Sequence, residues 1–115
     1  MKLRLQGHSL RLRLNQSEVA RLAEAGRVEE TIPFAAGQEL IYSIESSAAR
    51  EISASLDGNR IRVLVPATVA NQWIGSDETG IEAATGTLNV LIEKDFQCLH
   101  RTSGEDADSF PNPLR

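Results

Sequence analysis

The sequence has 115 residues, of which 41% are apolar and 24% are charged, and its formal net charge is −4. This length suits one domain with a single core, and this composition excludes a fully disordered chain or a fibrous repeat. The single cysteine, Cys98, excludes an intramolecular disulfide and is typical of a reducing compartment. Because no apolar run reaches the length of a signal peptide or a membrane span, we expect a cytoplasmic protein.

Two strands and a helix are predicted at the start of the chain. Residues 2–6 and 9–14 alternate leucine with polar or basic residues, which is the pattern of a strand with one buried face. Asn15 and Glu18 have the spacing of a capping box, so a helix over 16–25 is expected. The leucines of both strands are predicted to face the core, and the basic residues to face solvent.

A hairpin is predicted to complete the first half. Gly26 supplies the left-handed residue that commonly ends a helix. Strands are expected over 27–34 and 39–45, with a turn through Ala35-Ala36-Gly37 between them. Residues 46–49 read Ser-Ser-Ala-Ala, a linker composition, and mark the boundary between two units.

The second half repeats the order of the first. Its predicted elements are strands over 50–56 and 60–65, a helix over 67–73, and strands over 79–84 and 87–93. Asp57-Gly58 is a strong turn signal between the first two strands. Pro66 is expected at the first helical position, where its missing N–H has no partner to lose.

The repeat extends to residue classes. Residues 56–65 match residues 5–14, with a glycine in the turn and apolar residues at alternate positions of the following strand. We therefore predict a mostly β (α+β) fold, a pseudo-two-fold ββαββ duplication that closes a small β-barrel with two short helices. The domain covers residues 1–94, and its two repeats are 1–46 and 50–94.

The second half resembles a known family. Residues 57–66 read Asp-Gly-Asn-Arg-Ile-Arg-Val-Leu-Val-Pro, which looks like the Gly-Arg-hydrophobic-x-hydrophobic-Pro segment of AbrB-type transition-state regulators and MraZ-like proteins. Residues 74–77, Ile-Gly-Ser-Asp, resemble the loop that ends the helix in that family. The resemblance implies a swapped-hairpin barrel, in which two units interleave their hairpins, and a role in binding DNA.

The end of the chain has a different character. Residues 95–115 show no periodicity and are predicted to form an extended acidic tail, pinned if anywhere by Phe96, Leu99 or Phe110. The ending Glu-Lys-Asp-Phe at 93–96, together with Phe-Pro-Asn-Pro near the C-terminus, is similar to the ends of short bacterial proteins in an uncharacterised family. That similarity implies no activity.

The resemblance to DNA-binding proteins assigns nucleic-acid contacts to four arginines, Arg11 and Arg13 in the first unit and Arg60 and Arg62 in the second. Clustered arginines on one surface are suited to binding phosphates. The alternative is that they form cross-strand ion pairs with glutamates on a solvated sheet face. A pI of about 5.1 favours this alternative.

No catalytic residue, metal ligand or cofactor is predicted. Cys98 and His100 lie close together, but a structural zinc site normally needs four ligands at tight spacing. The sequence lacks a Gly-rich phosphate loop before a long helix and a Gly-x-Ser-x-Gly elbow. Glu93 and Asp95 are most simply solvated carboxylates at a strand end. We therefore expect no enzymatic activity.

Three functions stay open on this evidence. The favoured one is a small non-enzymatic interaction module that binds a protein partner, or a second copy of itself, through the tail or an uncovered strand edge, without membrane contact. A DNA-binding regulator is the alternative. The second alternative is a barrel that carries a small ligand or anion, with the arginines pointing inward. That arrangement would expose the strand leucines, which costs about 25 cal/mol per Å² of apolar surface.

Overall fold

A computed structural model describes residues 1–95 of the chain and shows a mostly β fold with two α-helices. The elements are β1 (Lys2–Gln6), β2 (Ser9–Leu14), α1 (Gln16–Ala25), β3 (Arg27–Pro33), β4 (Glu39–Ser47), β5 (Ser53–Asp57), β6 (Arg60–Pro66), α2 (Ala67–Ile74), β7 (Gly80–Thr85) and β8 (Leu88–Lys94). A 3₁₀ turn over Ala35–Gly37 joins β3 to β4. The predicted order of strands and helices is confirmed.

The first helix begins and ends as its sequence predicts. The Asn15 Oδ1 atom accepts a hydrogen bond from the Glu18 N–H at 2.9 Å, and the Asn15 N–H donates to Glu18 Oε1 at 2.9 Å. Gly26 follows the helix with a φ of 73°, a left-handed conformation that most side chains disfavour. The capping box therefore fixes Glu18 on the side of the helix that faces the sheets.

The second helix begins at Ala67, as predicted, but the role of Pro66 differs from the expectation. Pro66 is the N-cap, with φ −53° and ψ 136°, rather than the first helical residue. Since Asn15 is the N-cap of α1, Ala70 in α2 corresponds to Val19, and Trp73 corresponds to Leu22. Trp73 is 1% exposed, which confirms its predicted place in the core.

The two halves of the chain exchange hairpins. One four-stranded sheet has the order β1-β2-β8-β7 and the other has the order β3-β4-β6-β5, so each sheet combines a hairpin from each half. The central pairs, β2 with β8 and β4 with β6, are parallel, and the outer pairs are antiparallel. Replacing each first-half element by its second-half counterpart turns one strand order into the other. A duplication of the sequence stays a prediction.

The predicted closed barrel is wrong. Within residues 1–95, β1 and β7 are the outer strands of one sheet, β3 and β5 are those of the other, and no strand ladder joins the sheets. The sheets instead contribute to one shared core, and two gaps without a strand ladder remain between their outer strands. These gaps lie between β1 and β3 and between β5 and β7.

The core confirms the predicted orientation of the strands at their centres. Leu10, Leu12 and Leu14 of β2 are 3%, 0% and 0% exposed, and the arginines between them lie on the outer face. The prediction fails at Leu5 on the outer strand β1, which is 57% exposed although its register partner Leu10 on the inner strand β2 is 3% exposed. An arginine-lined tunnel would need these basic side chains inside, and they lie outside.

Within the described residues, neither helix is long and apolar enough to cross a membrane. Residues 96–115 lie outside the described part of the chain. The predicted tail, its apolar anchors and the pair Cys98 and His100 belong to that segment, so they stay predictions.

Candidate functional site

The arginines of β2 form ion pairs on the outer face of their sheet. The Glu93 carboxylate of β8 lies 3.4 Å from the Arg11 Nε atom and 3.2 Å from the Arg13 Nε atom. Arg13 and Glu93 are directly paired in register, which places both side chains on the same face. Arg11 and Arg13 therefore both form an ion pair with Glu93.

The arginines of β6 lie on the other sheet and are paired in the same way. Arg60 contacts Glu29 at 2.6 Å, and Arg62 contacts Glu45 at 3.1 Å. The Arg60 guanidinium, together with Arg27, holds the pKa of the Glu29 carboxyl below its ordinary value. The four predicted nucleic-acid-binding residues are therefore divided between two sheets, and each has a glutamate partner.

Two of these ion pairs occupy equivalent positions in the halves. In the first half Leu12 pairs with Ile92, and in the second half Val63 pairs with Ile44. The residue before Leu12 is Arg11 and the residue before Val63 is Arg62, so these two arginines are equivalent. The residues after Ile92 and Ile44 are Glu93 and Glu45, which are equivalent in the same way. The pairing is thus a property of the strand arrangement, and it stabilises the solvated face of each sheet modestly.

The gap between β1 and β3 is closed by a polar cluster. The α-amino group of Met1 donates hydrogen bonds to the carboxylate of Glu18 and, at 2.9 Å, to that of Glu30. The Tyr42 hydroxyl donates to the Met1 carbonyl oxygen at 2.7 Å. We call Met1, Glu18, Glu30 and Tyr42 the amino cluster. It links the edge of one sheet to helix α1 and to two strands of the other sheet.

Electrostatics keep the amino cluster charged. Burial alone would lower the pKa of the Met1 amine, but hydrogen bonds to Glu18 and Glu30 raise this pKa above its ordinary value. Burial alone would raise the pKa of Glu18, but hydrogen bonds from the Met1 amine and the Asn15 N–H lower it. Burial, then the charges of Glu30 and Glu18, raise the pKa of the Tyr42 phenol. The amine and Glu18 therefore stabilise each other as ions.

The equivalent position in the second half holds no such charges. Val69 stands three residues after its N-cap, as Glu18 does, and Ile52 precedes β5 as Met1 precedes β1. Ala83 pairs with Val90 as Glu30 pairs with Tyr42. The amino cluster is thus replaced by the apolar residues Ile52, Val69, Ala83 and Val90.

A cleft of about 540 Å³ lies at this apolar position, between β7 and residues 50–52, which precede β5. We call it the β5–β7 cleft. Its lining residues are Arg50, Glu51, Ile52, Pro66, Val69, Glu78, Gly80, Ile81, Glu82, Ala83 and Ala84. The lining is apolar at Ile52, Pro66, Val69 and Ile81. Strand β7, the residues just before β5 and the start of α2 therefore border a groove that opens to solvent and has both apolar and charged lining residues.

The rim of the β5–β7 cleft is acidic. Glu51, Glu78 and Glu82 are exposed and line the cleft together with one basic residue, Arg50. None of the three carboxylates has an ion-pair partner among residues 1–95, whereas Glu93, on the neighbouring strand β8, contacts two arginines. The rim can therefore bind a cationic group without first breaking an ion pair within this part of the protein.

Two smaller depressions differ in character. One of about 420 Å³ lies at the β3–β4 turn, beside the exposed ring of Phe34. The other, of about 300 Å³, lies on the outer face around Arg4, Arg11 and Glu82, so it mixes both signs of charge. Neither lies between two free strand edges. The β5–β7 cleft is the best candidate for a binding site.

These features define a class of protein: a small mostly β domain of two hairpin-exchanging sheets, closed on one side by an ion cluster and open on the other. The chain belongs to a family of unknown function, DUF7009, whose model matches residues 1–114. This confirms the predicted membership of an uncharacterised family. No curated protein matches the sequence. The comparisons give no support to the resemblance to AbrB-type and MraZ-like proteins.

The sequence interpretation missed both gaps between the sheets. Glu18 was explained fully as a capping residue, although it lies one helical turn before Leu22 on the core-facing side of α1. A glutamate on the core-facing side of a helix signals that its carboxylate has a buried partner. The β5–β7 cleft follows from comparing the halves only when Val69 is matched to Glu18. The offset that matches residues 56–65 to residues 5–14 also matches Val69 to Glu18, so this signal was present in the sequence.

Proposed function

We propose that this protein is a non-enzymatic interaction module that binds an extended segment of a partner protein in the β5–β7 cleft. The observation that carries the proposal is the contrast between the two gaps. The gap between β1 and β3 is filled by the amino cluster, while the equivalent gap is an open groove whose lining includes the apolar residues Ile52, Val69 and Ile81. Burial of this apolar surface by a ligand is favourable.

The walls of the cleft support an extended ligand. Five consecutive residues of β7, from Gly80 to Ala84, line one wall, and the consecutive residues 50–52 line the other. Consecutive lining residues mean that the groove follows the backbone of an outer strand rather than one of its faces. Addition of a strand to an exposed sheet edge is a common way to bind a peptide.

The charges of the outer faces support a protein partner over DNA. Arg11, Arg13, Arg60 and Arg62 are each within 3.4 Å of a glutamate oxygen. Phosphate binding would have to displace those carboxylates, and the net charge of −4 opposes approach to a polyanion.

Selection of random peptides displayed on phage, with the immobilised full chain as bait, tests the proposal. The blocking variant is Ala83→Trp, which places an indole in the β5–β7 cleft. The matched control is Thr31→Trp, which adds the same group at an exposed position of β3. We expect peptides that bind the wild type and Thr31→Trp but not Ala83→Trp. Selected peptides that bind all three proteins equally would contradict the proposed site.

A further inference from the structure

The directions of the side chains on β7 determine which residue types suit each face of a strand bound beside it. Ile81 pairs with Ile92, and Ala83 pairs with Val90, and both partners are fully buried. Ile81 and Ala83 therefore face the core side of the sheet. Glu82, between them, is exposed on the outer face. A strand added beside β7 would continue both faces, because directly opposed residues in a sheet lie on the same side.

The inner positions of an added strand would be apolar. They would lie beside Ile81 and Ala83 and above Ile52 and Val69, which are half-buried side chains of the β5–β7 cleft. A polar side chain there would lose water without gaining a hydrogen-bond partner, which is unfavourable. Aliphatic β-branched residues suit this position, since they also favour the strand conformation.

The outer positions would be basic. Glu82 lies on the outer face, Glu78 precedes β7, and Glu51 lies across the groove. Three carboxylates without ion-pair partners among residues 1–95 line the cleft beside one basic residue, Arg50, and Glu82 also borders the outer-face depression that contains Arg4 and Arg11. The same sheet already shows this pattern at its other edge, where β1 reads Lys-Leu-Arg-Leu-Gln with its basic residues exposed. A lysine or arginine beside Glu82 would form a cross-strand ion pair.

We propose that the ligand of the β5–β7 cleft is a strand of alternating basic and aliphatic residues that pairs with the free edge of β7. This inference rests on the proposed function and specifies its partner. The chain's own residues 96–115 match it poorly, because they contain the acidic run Glu105, Asp106 and Asp108 and two prolines. The partner is therefore a segment of another protein.

Fluorescence anisotropy with three labelled peptides tests the pattern on the full chain. The probes are Lys-Val-Lys-Val-Lys-Val-Lys, its acidic counterpart Glu-Val-Glu-Val-Glu-Val-Glu, and the rearranged peptide Lys-Lys-Lys-Lys-Val-Val-Val. We expect the alternating basic peptide to bind more tightly than either of the others, by about tenfold or more. Only this peptide places valines on the inner face and lysines beside Glu82 on the outer face. Glu82→Lys should weaken its binding about fivefold and improve binding of the acidic peptide.

Two comparisons separate failure of the inference from failure of the proposed function. If peptides bind and Ala83→Trp abolishes binding, but neither charge nor alternation changes the affinity, the cleft is a binding site and the inference is wrong. If Ala83→Trp and Glu82→Lys leave all binding unchanged, both proposals are wrong.

Two further results would identify a different ligand. A synthetic peptide of residues 96–115 that displaces the alternating peptide would identify the tail as the ligand. Concentration-dependent dimerisation that Ala83→Trp abolishes would identify a second copy of the chain. Either result overturns the inference.

Discussion

The amino cluster and the β5–β7 cleft occupy equivalent places in two halves that share one order of elements. In the first, Met1 and Glu18 meet as ions between two sheet edges. In the second, Ile52 and Val69 stand at the same positions and leave a groove of about 540 Å³. The comparison shows that a shared backbone arrangement sets where the gaps lie, while a few side chains decide whether a gap is closed from within.

The difference has a physical basis in the partners of each group. A buried ion pair is stable only when hydrogen bonds satisfy its remaining donors and acceptors. The amino cluster meets that condition, because Glu18 accepts from the Met1 amine and the Asn15 N–H, and Tyr42 donates to the Met1 carbonyl. Aliphatic side chains need no such partners, so the cleft can stay open without an unsatisfied polar group.

The largest expected effect is on stability. Glu18→Ala should lower the free energy of unfolding by about 3 kcal/mol, because it removes the capping-box hydrogen bond to the Asn15 N–H and one carboxylate of a buried ion pair. Val69→Ala, at the equivalent position, should lower it by about 1 kcal/mol through lost apolar contact. Urea denaturation of both variants measures the difference. Equal losses of stability at the two positions would show that the amino cluster stabilises the protein no more than the apolar residues at the equivalent position.

The second-largest expected effect is on the pH dependence of stability, which should differ between the amino cluster and the β5–β7 cleft. The lowered pKa of Glu18 means that its contribution is present above the ordinary glutamate value of about 4.3 and is lost as the pH falls through the folded-state value. The raised pKa of Met1 means that its contribution is complete below the ordinary amine value of about 7.7–8.0 and is lost as the pH rises through the folded-state value. Stability from the cluster is therefore greatest between about pH 5 and 8.

Thermal melts of Glu18→Gln across this range check the prediction. Glutamine keeps a capping side chain but not the charge, so the variant should lose most stability near neutral pH and converge on the wild type at both extremes. The control Val69→Ala should show a constant difference at all pH values. A difference for Glu18→Gln that does not change with pH would contradict the assignment of the ion pair.

A smaller effect is expected at the outer faces, where the halves are alike. Arg11→Ala and Arg62→Ala should each lower the free energy of unfolding by about 0.5 kcal/mol, since they remove equivalent exposed ion pairs. Each glutamate also keeps a second arginine, Arg13 for Glu93 and Arg27 for Glu45. Chemical denaturation of the two variants should give the same loss within error. A large loss for either one would mean that its sheet depends on that pair.

The smallest expected effect concerns DNA. A shift assay with duplex DNA at about 50 mM salt should show no association, and replacement of Arg11, Arg13, Arg60 and Arg62 by alanine should change nothing. Association that weakens steeply towards about 200 mM salt, and weakens further in the alanine variant, would favour the DNA-binding alternative over the proposed function.

Local sequence signals predicted most of the fold. Alternation in β2 identified the buried face that contains Leu12, and the Asn15 capping box with Gly26 gave the bounds of α1 correctly. These features depend on neighbours within a few residues, so a single sequence reveals them. Closure into a barrel was predicted wrongly, because it depends on contacts between strand edges that are far apart in the chain.

The candidate site was harder to predict for the same reason. The four arginines were assigned through the resemblance to DNA-binding proteins, but their glutamate partners lie on other strands, such as Glu93 beside Arg13. The alternative of cross-strand ion pairs anticipated this arrangement without naming Glu93. The β5–β7 cleft combines residues 50–52, which precede β5, with residues of α2 and β7, and its apolar residues resemble ordinary core sequence. Only the fold shows that these residues border an open gap.

Chemical-shift mapping by nuclear magnetic resonance tests the central contrast most directly. The isotopically labelled full chain is titrated with the peptide Lys-Val-Lys-Val-Lys-Val-Lys. We expect shift changes at residues 50–52 and 80–84, around the β5–β7 cleft, and none at Met1, Glu18 and Glu30. Shift changes centred on the amino cluster, or none at residues 80–84, would contradict this expectation.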